Sequence, residues 1–567
     1  MSMYNALQQV WTAMTAKDAP FEIAKINVRG QSLNSYRNAP PSVREVWLST
    51  AQFAERDYLV YGDERWTYAQ AHSEVAAIAA WLRKQGIAQG DRVAIAMRNY
   101  PEWMLCYWAC LSQGIAVVGV NAWWIASELE YGLADSNPKL IICDQERLER
   151  FNEVRSNFPD MTVVGVRLTS SDDSVIPFSE LTRESAELPD AIIDGDEDAC
   201  IFYTSGTTEK PKGAQLTHRG CVTNLMNLAF GGAVFSTASA LANGLAPPNP
   251  EDAPISSALL TTPLFHVTAN NCLAYGTTFL GGKLVHMYKW DAGEALRLIE
   301  KEGITTMSGV PTMSREVINH PDFAKYDTST VLSMGGGGAQ LPPDLVGKID
   351  QSIATARPNT GFGMTETCGI ITSFNGDFFV AHPDSAGPAM PSYEAKCIDT
   401  EGRDLGIDEV GELLVRGAAV IKGYLNREDA TAESIVDGWL YTGDVARIDK
   451  NGFIFIVDRI KDMVLRGGEN IYCAEVEAVV YSMDGIAECS VFGVDDERLG
   501  EEVGTAIVLK PGATQSAEQI RDFCLANSAK HKVPRYIWIQ DQPLPTNASG
   551  KFLKRELRKT LDTAEAS

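Results

Sequence analysis

The apolar positions of this chain alternate between two rhythms. Short runs such as "RVAIAM" (Arg92–Met97), "GIAVVGV" (Gly114–Val120) and "KLIICD" (Lys139–Asp144) are apolar almost throughout, the pattern of strands buried on both faces. Between them, "YAQAHSEVAAIAAWLRKQG" (Tyr68–Gly86) and "PEWMLCYWACLSQG" (Pro101–Gly114) carry apolar residues at helical spacing, and each closes on glycine. This β-α-β-α-β order predicts a parallel sheet covered by helices. A second cycle follows Ile201. A strand, "ACIFYTSG", enters a loop rich in Gly, Ser and Thr, and the helix "THRGCVTNLMNLAFGG" (Thr217–Gly232) comes after it. Further strands are predicted in "SALLTTPLFH", "GGKLVHM" and "TTMSGVP", with a Pro-rich surface loop over residues 242–257.

Beyond Pro388 the rhythm changes. "EAKCID", "VGELLVRG" and "ARIDKNGFIFIVDR", the last containing the turn "DKNG", predict a small antiparallel barrel or sheet. After Arg459 a compact α+β pattern follows ("AEVEAVVYSM", "IAECSVFGV", "VGTAIVLKPG", "AEQIRDFCLAN"). The fold class expected is therefore α/β: a large N-terminal domain of β/α subdomains plus a small β-barrel over residues 1–458, then a small α+β domain over 459–567. A chain of 567 residues is long enough to need at least two cores.

Composition narrows the class. A formal net charge of −25 disfavours nucleic acid as a partner and means that any anionic substrate needs a local cationic site. The eleven cysteines are dispersed, and the closest pair, Cys106 and Cys110, lacks a zinc or redox spacing, so a reducing compartment and core packing are expected. The N-terminus lacks a basic segment followed by an apolar one. The apolar region from Trp103 to Ala126 is interrupted by Ser112, Gln113, Gly114 and Asn121. The expectations are no transmembrane segment and a cytoplasmic location; a homodimer is left open.

The candidate chemistry starts at "YTSGTTEKPKG" (Tyr203–Gly213). It is not a Walker loop, because Pro211 and Gly213 stand where that pattern requires glycine and a hydroxyl residue. A strand running into successive N–H groups and hydroxyls can still form an anion nest. By itself it could equally be a solvated hairpin loop.

It is the first of five motifs in order. The others are "GFGMTE" (Gly361–Glu366), "YTGD" (Tyr441–Asp444), "DRIKDMVLRGGENIY" (Asp458–Tyr472) and "PTNASGKFLKREL" (Pro545–Leu557). Together they resemble the adenylate-forming superfamily of acyl-CoA synthetases, luciferases and peptide-synthetase adenylation domains, in its fatty-acid–CoA ligase branch. The loop matches the family signature at every specified position except Glu209, where the family has glycine, and Phe362 replaces a tyrosine.

The resemblance implies ATP and CoA as co-substrates, Mg²⁺ as cofactor and a carboxylic acid as the partner activated. It places Thr204, Ser205, Gly206, Thr207, Thr208 and Lys212 around the β- and γ-phosphates. Thr365 falls on the α-phosphate, and Glu366 on Mg²⁺ with Thr204. Gly361, Phe362, Gly363 and Met364 lie against adenine, with Gly338, Ala339 and Gln340 at its other edge. Asp444 and Arg459 fall at the ribose, and Ile456 covers the nucleotide. Lys551 becomes the catalytic lysine bridging carboxylate and α-phosphate, a task that suits a compact charge on a flexible stem.

The resemblance also makes the C-terminal domain mobile, with Lys461 as hinge and Gly467 and Gly468 lining the CoA tunnel. In "PLFHVTANN" (Pro263–Asn271), His266 and Val267 would wall the acyl pocket, with His266 near the reacting carboxylate. Gly335 and Gly336 of "SMGGGGAQL" would leave room for the acyl chain. No aspartate stands between Asn224 and Phe235 to pair a substrate ammonium, so an amino-acid substrate is disfavoured. The function implied is an AMP-forming acyl-CoA synthetase for a medium- or long-chain fatty acid or another bulky acid. Alternatives are an aryl-acid CoA ligase, an acyl-AMP ligase, a luciferase-like oxygenase, or a nucleotide- and acyl-binding protein impaired by Glu209.

Overall fold

A computed structural model describes residues 1–170, 172–204, 210–249, 252–338, 341–547 and 550–567. The architecture is α/β, with a large N-terminal domain and a small C-terminal one. Two large sheets organise the former. The first has seven strands, ordered Lys212–Thr217, Asp198–Thr204, Ala116–Gly119, Arg92–Ala96, Leu140–Asp144, Thr162–Val166 and Ile176–Pro177. All neighbours are parallel except the outer hairpin formed by the first two. The second has eight strands. Its parallel centre runs from Arg357–Thr360 through Ser333–Gly336, Thr306–Ser308, Ser257–Leu260 and Lys283–His286 to Asp57–Tyr61, with an antiparallel strand at each edge.

The helix Pro101–Leu111 explains why the sequence there is apolar without a stripe: every residue in it is buried. Trp108 stacks on Trp47 and donates to the Tyr58 hydroxyl at 2.7 Å, so a buried indole N–H is satisfied inside the core. The next strand, Ala116–Gly119, is buried as well, which accounts for the apolar stretch from Trp103 onward as core.

The helix predicted over Thr217–Gly232 runs farther, from His218 to Ala242. Gly231 does not end it, because that glycine meets Ser373, whose Oγ lies 2.9 Å from the place a Cβ would occupy. By length and composition this helix could cross a membrane, but Leu225, Phe230, Val234 and Phe235 are buried among core residues. Trp11 and Phe21 meet the Phe230 ring edge-on.

A six-stranded antiparallel sheet follows, including Tyr393–Ile398, Gly411–Gly417, Trp439–Ile448 and Phe453–Arg459. The C-terminal region builds a five-stranded sheet around the long hairpin Ile486–Asp496/Gly500–Leu509, with the helices Cys473–Tyr481 and Ala517–Asn527 on its own core. All eleven cysteines are free thiols, and all but half-buried Cys272 are buried.

Candidate active site

The site forms where the hairpin Asp198–Thr204/Lys212–Thr217, the turn after Gly361, the end of the open six-stranded sheet and the C-terminal lysine turn approach one another. Thr204 and Lys212 are cross-strand partners at the loop end of that hairpin. Residues Ser205, Gly206, Thr207, Thr208 and Glu209, which connect them, lie outside the described residues, as do Ala339 and Gln340. The base of the loop is firmly held. The Tyr203 hydroxyl donates to Asp135 at 2.7 Å, and the Tyr131 hydroxyl donates to the Pro211 carbonyl at 3.1 Å while its ring receives the Lys210 ammonium.

Gly361–Glu366 is a tight antiparallel turn. Gly363 and Met364 pair with Ile370 and Gly369, and a Cβ on Gly363 would lie 2.0 Å from the Gly369 carbonyl oxygen. Half-buried Phe362 is fixed through its backbone: its N–H donates to the Thr372 hydroxyl, and its carbonyl accepts from Ile371 at 2.7 Å. Thr365 opens the following 3₁₀ turn, and Glu366 is buried at 8% exposure with its carboxylate accepting from the Tyr424 hydroxyl at 2.7 Å. An amide lattice anchors the turn from behind. Asn224 accepts from the Ile370 N–H and donates to the Asn271 carbonyl, while Asn271 donates to the Cys368 carbonyl. The helix carrying Asn271 widens into a π turn over Asn270–Ala274, a distortion frequent where side chains are aimed at a site.

Asp444 and Arg459 face each other across two strands, with Nε donating to Oδ1 at 3.0 Å. Asp444 is 3% exposed, and its Oδ2 is buried without a partner among the described residues. Burial raises its pKa against the opposing pull of Arg459. A buried carboxylate oxygen with nothing to accept from is costly, and two vicinal hydroxyls are the donors that would satisfy it. Ile456 is half-buried two residues before Asp458 on the same strand.

Lys551 reaches this group from the C-terminal region. Its ε-carbon lies 3.8 Å from the place a Cβ on Gly338 would occupy, which is van der Waals distance, and the φ of +91° is what favours glycine at that position. Lys551 is exposed, yet desolvation by the groups around it and then the neighbouring Arg459 charge lower its pKa to about 8, opposed by Asp444 and Glu366. His266 lies close enough to feel the Lys551 charge. Burial, chiefly, brings its pKa down to about 4, so its imidazole is neutral at pH 7, and its Nε2 is buried without a partner among the described residues. Asn99 was not singled out from the sequence, where "MRNYP" carries no motif. It donates to the Thr262 carbonyl and accepts from the Leu264 N–H, fixing the segment before His266. Val267, next in line, is buried.

One expectation changes. Gly335 and Gly336 do not open space for an acyl chain. A Cβ on Gly335 would lie 2.1 Å from the Asn359 oxygen and one on Gly336 2.5 Å from the Gly309 oxygen, so close strand packing at φ +148° and +136° requires glycine there. Gly467 and Gly468, at φ +59° and +90°, form the exposed two-residue turn between Val464–Arg466 and Glu469–Ile471. Hairpin geometry by itself calls for glycine at both positions.

Lys461 is exposed just after Arg459, next to a turn in which the Arg459 carbonyl accepts from the N–H groups of Asp462 and Met463. Across this junction Asp458 accepts from the Cys473 N–H at the start of a C-terminal helix, and burial pushes its pKa up to about 6.

The Glu366 turn and the Asp444–Arg459 pair thus gather around Lys551. The AMP-binding enzyme family matches residues 46–425, and its C-terminal domain matches residues 475–551. The chain belongs to the AMP-binding enzyme family. It is therefore an adenylate-forming enzyme, as the five motifs imply. It is 33% identical to a feruloyl-CoA synthase of Amycolatopsis sp, over 94% of this chain and 99% of that one. It is 29% identical to a long-chain-fatty-acid–CoA ligase of Bacillus subtilis (strain 168), over 97% and 98%. O-succinylbenzoate coenzyme A synthetase from Bacillus subtilis, solved with ATP and a magnesium ion, superposes with a TM-score of 0.73 at 28% identity, covering 90% of this chain and 99% of that one.

Proposed function

We propose that this adenylate-forming enzyme is an ATP-dependent carboxylate–CoA ligase acting on a bulky apolar acid, a medium- or long-chain fatty acid or an aryl acid. The observation that carries the reading is the convergence of Lys551, Glu366 and the Asp444–Arg459 pair from separate parts of the chain. In the first half-reaction a substrate carboxylate oxygen attacks the α-phosphorus of ATP, the bond to the bridging oxygen breaks, and pyrophosphate leaves. Lys551 would neutralise charge between the carboxylate and the α-phosphate, and Thr365 would donate to that phosphate. Asp444 would accept from the ribose hydroxyls, Phe362 would pack on adenine, and Thr204 and Lys212 would face the outer phosphates.

The donor set fits a hard cation: a buried carboxylate at Glu366 with one oxygen held by Tyr424, and a hydroxyl at Thr204. Bound there, Mg²⁺ would neutralise polyphosphate charge and template the leaving group. In the second half-reaction the CoA sulfur attacks the acyl carbon and AMP departs. We take residues 459–567 as the unit that moves between the halves, about Lys461.

Relatives named for aromatic and for fatty acids are both similar over nearly the whole chain, so acid class is left to experiment. The absence of an aspartate between Asn224 and Phe235 supports an acid without an ammonium group. The test is a panel of C6 to C18 and aryl acids with ATP, Mg²⁺ and CoA, read by mass spectrometry of acyl-CoA and by pyrophosphate release. Nucleotide binding without either product would establish the binding-protein reading instead. Lys551→Ala should abolish acyl-AMP formation and spare thioester formation from supplied acyl-AMP; equal loss of both would sink its assigned role.

A further inference from the structure

One segment touches the phosphate hairpin and the Glu366 turn at once. Ile421 donates its N–H to the Glu366 carbonyl at 3.0 Å. Lys422 donates to the Gln215 carbonyl at 3.0 Å, Gln215 donates back to Gly423 at 2.9 Å, and Leu425 donates to Gly213 at 2.8 Å. Residues 421–425 are thus a short strap zipped along the strand that begins at Lys212, with its first N–H on the backbone of Glu366. Tyr424 stands in its middle, 9% exposed. Its hydroxyl donates to Glu366 Oε1 at 2.7 Å, and its ring carries the Lys212 ammonium 5.1 Å from the centroid. The strap itself is pinned by the Tyr424 N–H donating to the Thr431 hydroxyl at 2.8 Å.

Resting on the ligase reading above, we infer that Tyr424 is a positioning residue that sets the Mg²⁺–polyphosphate site from beneath. Its hydroxyl commits one oxygen of Glu366 and restrains the carboxylate, which would leave the other oxygen for the cation. Its ring face holds the Lys212 ammonium beside the same charges. One side chain therefore sets both the negative ligand of the metal and the positive ligand of the phosphates. The sequence offered no signal for this: "IKGYLN" has no spacing that marks a ligand or a base.

The variants Tyr424→Phe and Tyr424→Leu separate the two contacts. Hydrogen bonds to charged groups are worth enough that losing one shifts an equilibrium by about ten-fold or more. Tyr424→Phe keeps the ring and should raise the Mg²⁺ midpoint of acid-dependent ATP–pyrophosphate exchange about ten-fold, with most of the lost rate recovered as Mg²⁺ is raised. Mn²⁺ binding to the ATP-loaded variant, followed by electron paramagnetic resonance, should weaken by a similar factor. Tyr424→Leu, which also removes the ring, should in addition raise the KM for ATP at saturating Mg²⁺. An unchanged Mg²⁺ midpoint in Tyr424→Phe, or a rate loss that no Mg²⁺ concentration restores, would overturn the inference. Absence of exchange in the unsubstituted enzyme with every acid would instead overturn the ligase reading on which it rests.

Discussion

The alkaline limb of the adenylation profile follows directly from the setting of Lys551. The lysine must be an ammonium to bridge two anionic groups, and the cleft lowers its pKa to about 8 from its ordinary value. Desolvation favours the neutral amine, Arg459 pushes the same way, and Asp444 and Glu366 pull against both. The active form therefore exists below that pKa and is lost as pH rises through it. With a pKa of about 8, about 90% of Lys551 is charged at pH 7 and about 10% at pH 9, so kcat/KM for adenylation should fall roughly ten-fold over that interval.

The assay is ATP–pyrophosphate exchange without CoA, which keeps the ionisation of the thiol out of the profile. Because kcat/KM reports the free enzyme, and bound ATP adds negative charge beside the ammonium, the limb in kcat should lie at higher pH than the limb in kcat/KM. Lys551→Arg, whose guanidinium stays charged, should lower the rate but flatten the limb. A limb that persists unchanged in Lys551→Arg, or a wild-type profile level to pH 9.5, would refute the assignment.

Other consequences are open to direct measurement. Glu209 stands where the family signature has glycine; Glu209→Gly should lower the KM for ATP severalfold in steady-state kinetics if its charge opposes the polyphosphate, and an unchanged KM would mean that it faces solvent. Asp444→Asn breaks the charge pair with Arg459 and halves the acceptor capacity at the proposed ribose position; AMP affinity by calorimetry should drop ten-fold or more, at about 1.5–3 kcal/mol for a hydrogen bond to a charged group. Gly335→Ala would set a methyl group 2.1 Å from the Asn359 oxygen at φ +148°, and should cost about 3 kcal/mol or more in urea unfolding.

Much of this protein can be read along the chain. The alternation of wholly apolar runs with helical stripes reports the two parallel sheets, because strands buried on both faces exclude polar residues whatever their neighbours. The order of motifs likewise reports the family, since each is a local turn or strand end whose chemistry is written in adjacent residues. The helix ending predicted at Gly232 was misplaced for a tertiary reason: its neighbour Gly231 is small to admit Ser373, a residue over a hundred positions away. The four-glycine run was read as empty space, and the structure fills two of its places with the backbones of adjacent strands. Tyr424 could not be found at all, because its importance lies in meeting Glu366 and Lys212, and neither is near it in sequence. Local conformation and burial are written in the chain because they depend on each residue and its neighbours. Convergence of charge at one point depends on how distant segments pack, and only the tertiary structure decides that.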